Sequence, residues 1–275
     1  MLNVEIMNDG TDKLVDWQRK RLATVHAGDV DYGAGSDRVT VLAYYWGADA
    51  ENPDTSFFRI ESAFRETWLN CGMMKSVIVT DKPTEEMLVF AKSFPMVEIQ
   101  VEPSLISGNL YTMSADCDGK FAERFNTDYL LVVQDDGFPL RPGLDAFLDK
   151  WDFIGAPYVR DKFLQRIVAR LMNLWTSNGG FSLRSKRMCD MAARYWREQY
   201  SIYPDCHAVG EDAYYTETLI KEKPEYRKSM KLADNRSAIK FSWDCIVPYN
   251  VNELPFGFHR AETFAEFLSR GWVQS

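Results

Sequence analysis

Between residues 39 and 133, short β-rich runs alternate with stretches of helical spacing, and this alternation leaves few architectures open. Residues 39–45 (VTVLAYY) are β-branched and aromatic, and end at Trp46-Gly47. Phe58, Ala63, Phe64 and Trp68 then recur on one face of a helix over 57–69. Residues 76–80 read as a second strand closed by Asp81, and residues 84–94 as a helix that Pro83 introduces. Residues 97–101 make a third strand, 110–125 a helix and 129–133 a fourth strand. Strands separated by helices build βαβ units around a mostly parallel sheet. The expected fold is α/β: a mostly parallel, Rossmann-like sheet flanked by helices, followed by a less regular second half.

The chain has 275 residues, enough for one large core or two small ones. Residues 1–37 are polar and end in Asp31-Tyr32-Gly33-Ala34-Gly35-Ser36-Asp37, so they read as a flexible extension with a short helix near 13–24. Residues 38–275 are expected to form a single domain. A net charge of −8 argues against a general nucleic-acid binder, which needs a basic face to displace counterions. No run is long and apolar enough to span a membrane. Glu5, Asp9, Asp12, Lys13 and Asp16 are unlike a signal peptide. Five scattered cysteines, Cys71, Cys117, Cys189, Cys206 and Cys245, fit reduced thiols in a cytoplasmic setting better than a disulfide frame.

The fourth strand ends abruptly in Gln134-Asp135-Asp136-Gly137. Carboxylates at the C-terminal edge of an open α/β sheet lie where such folds place ligands, and suit a divalent cation carrying phosphate. Asp-Gly is also a strong turn signal, and on local grounds alone the two readings weigh equally. Neither Gly-x-Gly-x-x-Gly nor Gly-x-x-x-x-Gly-Lys follows the first strand, so a nucleotide would need another anchor, for which a carboxylate-held metal is the candidate.

Further motifs follow in the second half. Residues 151–158 (WDFIGAPY) run from a short strand into a Gly/Pro turn. Asn178-Gly179-Gly180 precedes the strand-like Phe181-Ser182-Leu183-Arg184-Ser185, as where backbone must approach a ligand closely, although an Asn-Gly hairpin turn is the plainer reading. Glu211-Asp212 opens a helix over 213–221, where acids often only complement the helix dipole. Pro255-Phe256-Gly257-Phe258 sets His259 after an aromatic turn, and a lone histidine is more often structural than a ligand. Residues 162–175 are amphipathic, with Lys162, Arg166 and Arg170 opposite Phe163, Ile167, Leu171 and Leu174. Packing on the core is the favoured reading, and it leaves peripheral contact with a membrane or lipid-linked partner as the minority one.

In this order, Q-D-D-G, W-D-F-I-G-A-P-Y, N-G-G-F-S-L-R-S, E-D-A-Y-Y and P-F-G-F-H resemble a family of GT-A-fold glycosyltransferases over roughly residues 39–259. The resemblance implies a nucleotide half near 38–137 and an acceptor half near 138–275. It implies a nucleotide-sugar donor, a glycan or glycoconjugate acceptor, and Mn²⁺ or Mg²⁺ held by Asp136 and His259. Gln134 stands where an Asp-x-Asp motif has its first acid, so Gln134 or Asp135 would instead touch the ribose or a metal-bound water. Tyr44, Tyr45 and Asp81 would face base and ribose, and Asn178, Gly179 and Gly180 the sugar or acceptor. Asp212 resembles the base of inverting members and Glu211 a sugar-binding acid, which favours inversion over retention. Two other readings stay open. Gln134 favours a non-catalytic sugar- or nucleotide-binding module. A sugar nucleotidyltransferase would need a Gly-rich basic loop, which Tyr45-Trp46-Gly47-Ala48-Asp49 is not.

Overall fold

Strand side chains point alternately to two faces, so a strand apolar at nearly every position must be covered on both sides. The computed structural model describes residues 4–24, 32–46, 57–105, 110–157, 177–202, 210–244 and 253–274. The amphipathic stretch at 162–175 lies outside the described residues. In chain order come α1 (Val4–Thr24), β1 (Val39–Tyr45), α2 (Phe57–Cys71), β2 (Ser76–Thr80), α3 (Glu85–Ser93), β3 (Val97–Val101), α4 (Leu110–Arg124) and β4 (Tyr129–Val132). The second half adds β5 (Phe153–Pro157), β6 (Ser177–Ser185), α5 (Lys186–Ile202), α6 (residues 211–222, with a π-helical turn at Tyr214–Thr218), α7 (Pro224–Ser229) and α8 (Asn235–Phe241). It closes with β7 (Ser242–Trp243), β8 (Gly257–Phe258) and α9 (Ala261–Ser269).

The main sheet has the order β3-β2-β1-β4-β6-β5. β3, β2, β1 and β4 run parallel, whereas β6 runs antiparallel to both β4 and β5. β6 is thus the reversed strand, and the organisation is the expected α/β one, a mostly parallel sheet flanked by helices. On one face Val39, Val41, Ala43 and Tyr45 of β1 pack with Phe64 and Trp68 of α2 and Phe90 of α3. On the other, Leu42 joins Phe121 of α4, Met188 of α5 and Tyr215 of α6. Among the described residues no helix is long and apolar enough to cross a membrane, and Cys71, Cys117 and Cys189 are free thiols.

Two local expectations are corrected. Thr84, not Pro83, starts α3: its hydroxyl accepts the orphan N–H of Met87 at 3.4 Å, and Pro83 lies outside the cap. The N-terminal helix is longer than its expected span near 13–24, and it is no flexible lead. Leu14, Trp17 and Gln18 recur at helical spacing and are buried. Leu14 and Trp17 face a third core shared with Phe138, Phe258 and Phe264. Trp17 stands 4.9 Å from Phe264, ring to ring, and donates Nε1–H to the Gln274 carbonyl at 2.9 Å. Gln18 donates to the carbonyl of Asp135 at 2.7 Å, so this helix buttresses the end of β4.

Trp17→Ala should therefore destabilise the whole chain by about 3 kcal/mol. Urea unfolding would show a lower midpoint with an unchanged slope. A loss below ~1 kcal/mol would mean that α1 is not part of the cooperative core.

Candidate active site at the C-terminal edge of the sheet

β4 ends in a four-residue turn: Gln134 N–H donates to Gly137 O at 2.8 Å, and Gly137 N–H returns to Gln134 O at 3.1 Å. The turn and the acid pair are therefore the same object. The turn sends the two carboxylates apart. Asp135 Oδ2 pairs with Arg59 Nη2 of α2 at 2.8 Å. Burial, and then the charge of Asp136, push Asp135 up to about 6 against the pull of Arg59 and His259. Asp136 faces the other way, with Oδ1 at 3.6 Å from His259 Nε2.

His259 is placed by a two-residue ladder. Ser242 and Trp243 of β7 pair with Gly257 and Phe258 of β8, and His259 N–H donates to the Trp243 carbonyl at 2.8 Å. The following residue on each strand, Asp244 and His259, then meet: Nδ1 is 2.9 Å from Asp244 Oδ1. Asp244 is almost fully buried and also accepts from Arg260 Nε at 2.9 Å. His259 Nε2 points to Gln134 Oε1 at 2.9 Å. Burial pulls the imidazole down, but the Asp244 hydrogen bond and the charges of Asp136 and Asp244 leave it above its ordinary range.

Because β6 is reversed, its first residues lie beside the last residues of β4. Val132 pairs with Ser182, which carries Gly180 and Gly179 out beyond the strand end. Asn178-Gly179-Gly180 is not a hairpin turn. The β5–β6 ladder slips from Gly155↔Ser182 to Ala156↔Asn178, releasing the residues between from pairing with β5. Asn178 Oδ1 accepts Gly180 N–H at 2.8 Å.

The two glycines are needed for opposite reasons. A Cβ on Gly180 would lie 2.3 Å from His259 Nε2 and 2.7 Å from Gln134 Oε1. A Cβ on Gly179 would lie 2.2 Å from Glu211 Oε1 and 2.7 Å from Arg184 Nη2. One dipeptide thus separates the Gln134–Asp136–His259 group from the Glu211–Asp212 pair.

Glu211 and Asp212 occupy the first turn of α6. Glu211 Oε1 meets Arg184 Nη2 at 3.3 Å. Asp212 accepts from Ala213 N–H at 2.7 Å, and the Gly179 N–H also favours its charged form. Burial and the neighbouring charge of Glu211 raise Asp212 above the ordinary carboxylate range, partly offset by these N–H groups and Arg184.

The expected nucleotide-facing residues lie at the β1/β2 end of the same edge. Tyr44 donates its hydroxyl to Asp116 Oδ2 at 2.5 Å, and Arg124 holds the same carboxylate. Tyr45 is buried, its ring 5.5 Å from Phe57. Asp81 accepts from Lys82 N–H at 2.8 Å in the turn after β2.

Sequence reasoning overlooked four residues of this edge: Gln18, Arg59, Arg184 and Asp244. Arg184 falls in the N-G-G-F-S-L-R-S run, two residues along the strand from Ser182, and that parity is its only signal. The others act from remote helices and strands.

A family model described as "Protein of unknown function (DUF5672)" matches residues 108–259. No curated protein matches the chain. Among solved structures it is similar to the mannosyltransferase PcManGT from Pyrobaculum calidifontis, in complex with GDP-Man and Mn²⁺. That likeness has 12% identity and a TM-score of 0.38, over 66% of this chain and 54% of that one. It is also similar to the apo-form glycosyltransferase GlyE in Streptococcus pneumoniae TIGR4, with 9% identity and a TM-score of 0.47 over 82% of this chain and 54% of that one. The chain spans about half the length of these solved structures. The family match covers more than half of the 275 residues and runs from the start of α4 through the Gln-Asp-Asp turn, Asn178-Gly179-Gly180 and Glu211-Asp212 to His259. The chain belongs to the DUF5672 family.

Proposed function

We propose that the chain is a metal-dependent glycosyltransferase that moves a sugar from a nucleoside-diphosphate sugar to a carbohydrate or glycoconjugate acceptor. The observation that carries this reading is the Gly179-Gly180 dipeptide, with Asp136 and His259 on one side and Glu211 and Asp212 on the other. A metal-side group and an acid pair thus share one sheet edge, on either side of two consecutive glycines.

The residues fit a divalent ion. Adjacent ligands about 2.1 Å from one ion lie roughly 3.0–3.5 Å apart, and Asp136 Oδ1 and His259 Nε2 stand 3.6 Å apart. Asp244 holds Nδ1 and so turns Nε2 toward Asp136, the usual outer support of a metal-binding imidazole. Among the described residues no group of three or more His, Cys, Asp or Glu is placed to hold a metal. Two protein ligands suit an ion that keeps other positions for water and phosphate oxygens. Mn²⁺ matches a mixed imidazole–carboxylate pair, and Mg²⁺ is the alternative. Bound there, such an ion would neutralise charge on the departing diphosphate.

The chain's own residues do the rest. Asp212, ionised, takes the proton of the acceptor hydroxyl as its oxygen bonds to the anomeric carbon and the bond to the diphosphate breaks. Glu211 hydrogen-bonds a sugar hydroxyl. Gly179 and Gly180, lacking side chains, let the sugar approach the backbone. This assignment gives inversion at the anomeric carbon. A second reading, a non-catalytic binding module, is favoured by one contact: Gln134 Oε1 lies 2.9 Å from His259 Nε2, the atom a metal would need.

A nucleoside diphosphate should raise the melting temperature only with Mn²⁺ or Mg²⁺ present, and Asp136→Asn or His259→Ala should remove that dependence. No shift with any nucleotide would sink both readings. Metal affinity should weaken as pH falls through the raised His259 range, because the imidazolium cannot ligate; isothermal titration across pH 5–8 reads this directly.

Asp212→Asn should lower transfer by about a hundredfold or more while leaving the metal-dependent thermal shift in place. Since only ionised Asp212 is a base, kcat/KM should fall on the acid side at a pH above the ordinary Asp value of about 3.9. Glu211→Gln removes the like charge and should move that limb downward. Loss of nucleotide binding in Asp212→Asn would instead give that residue a binding role.

A further inference from the structure

Arg184 is fully buried, on a strand otherwise lined with small and apolar groups. Its guanidinium carbon sits 4.9 Å from the Phe121 ring, 5.2 Å from Phe153 and 4.9 Å from Tyr215. An apolar side chain would fill such a cage at lower cost, since a buried cation loses its hydration and needs several partners to replace it. The replacement is incomplete. Nε donates to Ser182 Oγ at 3.1 Å, and Nη2 divides between the Gly179 carbonyl and Glu211 Oε1, both at 3.3 Å. Nη1 has no partner. Stability alone gives no reason for this arrangement.

What the guanidinium does hold is the acid pair's platform. Its Nη2 binds the carbonyl of Gly179, whose backbone N–H favours the ionised Asp212 carboxylate. The same Nη2 binds Glu211, the residue before Asp212. A Cβ at Gly179 would overlap both Arg184 Nη2 and Glu211 Oε1, so the glycine exists in part to admit this pair. The π-helical turn that follows brings Tyr215 onto Arg184, and the Tyr215 hydroxyl donates to the Cys117 carbonyl at 3.0 Å, tying α6 to α4.

We propose that Arg184 is a positioning residue for the acid pair: its buried guanidinium holds Glu211 and Gly179 in place and keeps Asp212 ionised. The inference rests on the base role given to Asp212 above. Asp212 is faced by Glu211 on its own helix and by Arg184 on β6, with Cys117 of α4 close enough to Glu211 to feel its charge. Glu211 opposes ionisation of Asp212 and Arg184 favours it. Arg184 does not touch substrate. Among the described residues it is the cation paired with this half-buried acid pair, and its charge favours keeping both ionised.

The test is a ¹³C-carboxyl NMR titration of the full chain, with the Asp212 signal assigned by its loss in Asp212→Asn. Arg184→Met should raise the Asp212 midpoint by on the order of one pH unit. Arg184→Lys, whose ammonium falls short of the fork's reach, should raise it less. The acid limb of kcat/KM should follow the same order. If Arg184→Met does not fold by near-UV circular dichroism, the Lys variant decides. An Asp212 midpoint unchanged in a folded Arg184 variant overturns the proposal, because a residue that only fills space would not move it. The two readings fail separately. Absence of transfer with every nucleotide-sugar, alongside the ordered midpoints, would remove the reaction and keep the role of Arg184. Transfer alongside an unmoved midpoint would do the reverse.

Discussion

The pairing of β6 against β4 is the constraint on which the site depends. Parallel strands bring like ends together, so β1, β2, β3 and β4 can offer only their C-terminal residues to the ligand edge. A reversed strand offers its beginning instead. Residues 178–180 reach Gln134 and His259 only because β6 enters the sheet at that edge and runs back along β4. The slip in the β5–β6 ladder then frees the glycine backbone from one neighbour at the point where side chains from both directions crowd it.

Around this pairing the charges are sorted. Three guanidinium groups stand behind three acids: Arg59 takes Asp135, Arg184 takes Glu211, and Arg260 joins His259 on Asp244. Asp136 and Asp212 have no such guanidinium partner among the ion pairs described. Those two carboxylates are the ones to which the proposed chemistry gives a metal and a proton. Adjacent acids at one strand end and at one helix start are thereby made unequal, which is how neighbouring carboxylates take different roles.

The short elements were legible in the chain because their causes are local. The strands at 39–45, 76–80 and 97–101 coincide with β-rich runs, and the helix at 57–71 with its aromatic spacing. The misreadings have local causes too. Thr84 was passed over for Pro83, although a hydroxyl satisfies an orphan N–H and a proline does not. The first helix was underrated because its buried stripe of Leu14, Trp17 and Gln18 is narrow and flanked by charge.

By itself the sequence determined the order of strands and helices, the acid-ended fourth strand and the glycine pair, since each follows from side chains close in the chain. Only the tertiary structure decided which acid does what. Asp135 and Asp136 are chemically alike and adjacent, and they part company because Arg59 and Gln18, 76 and 117 residues away respectively, hold one of them while His259 faces the other. Asp244 carries no mark in the sequence, and Arg184 only its parity with Ser182 along one strand. Their roles come from a reversed strand and a two-residue ladder, and such long-range pairings are set by burial and register rather than by local pattern.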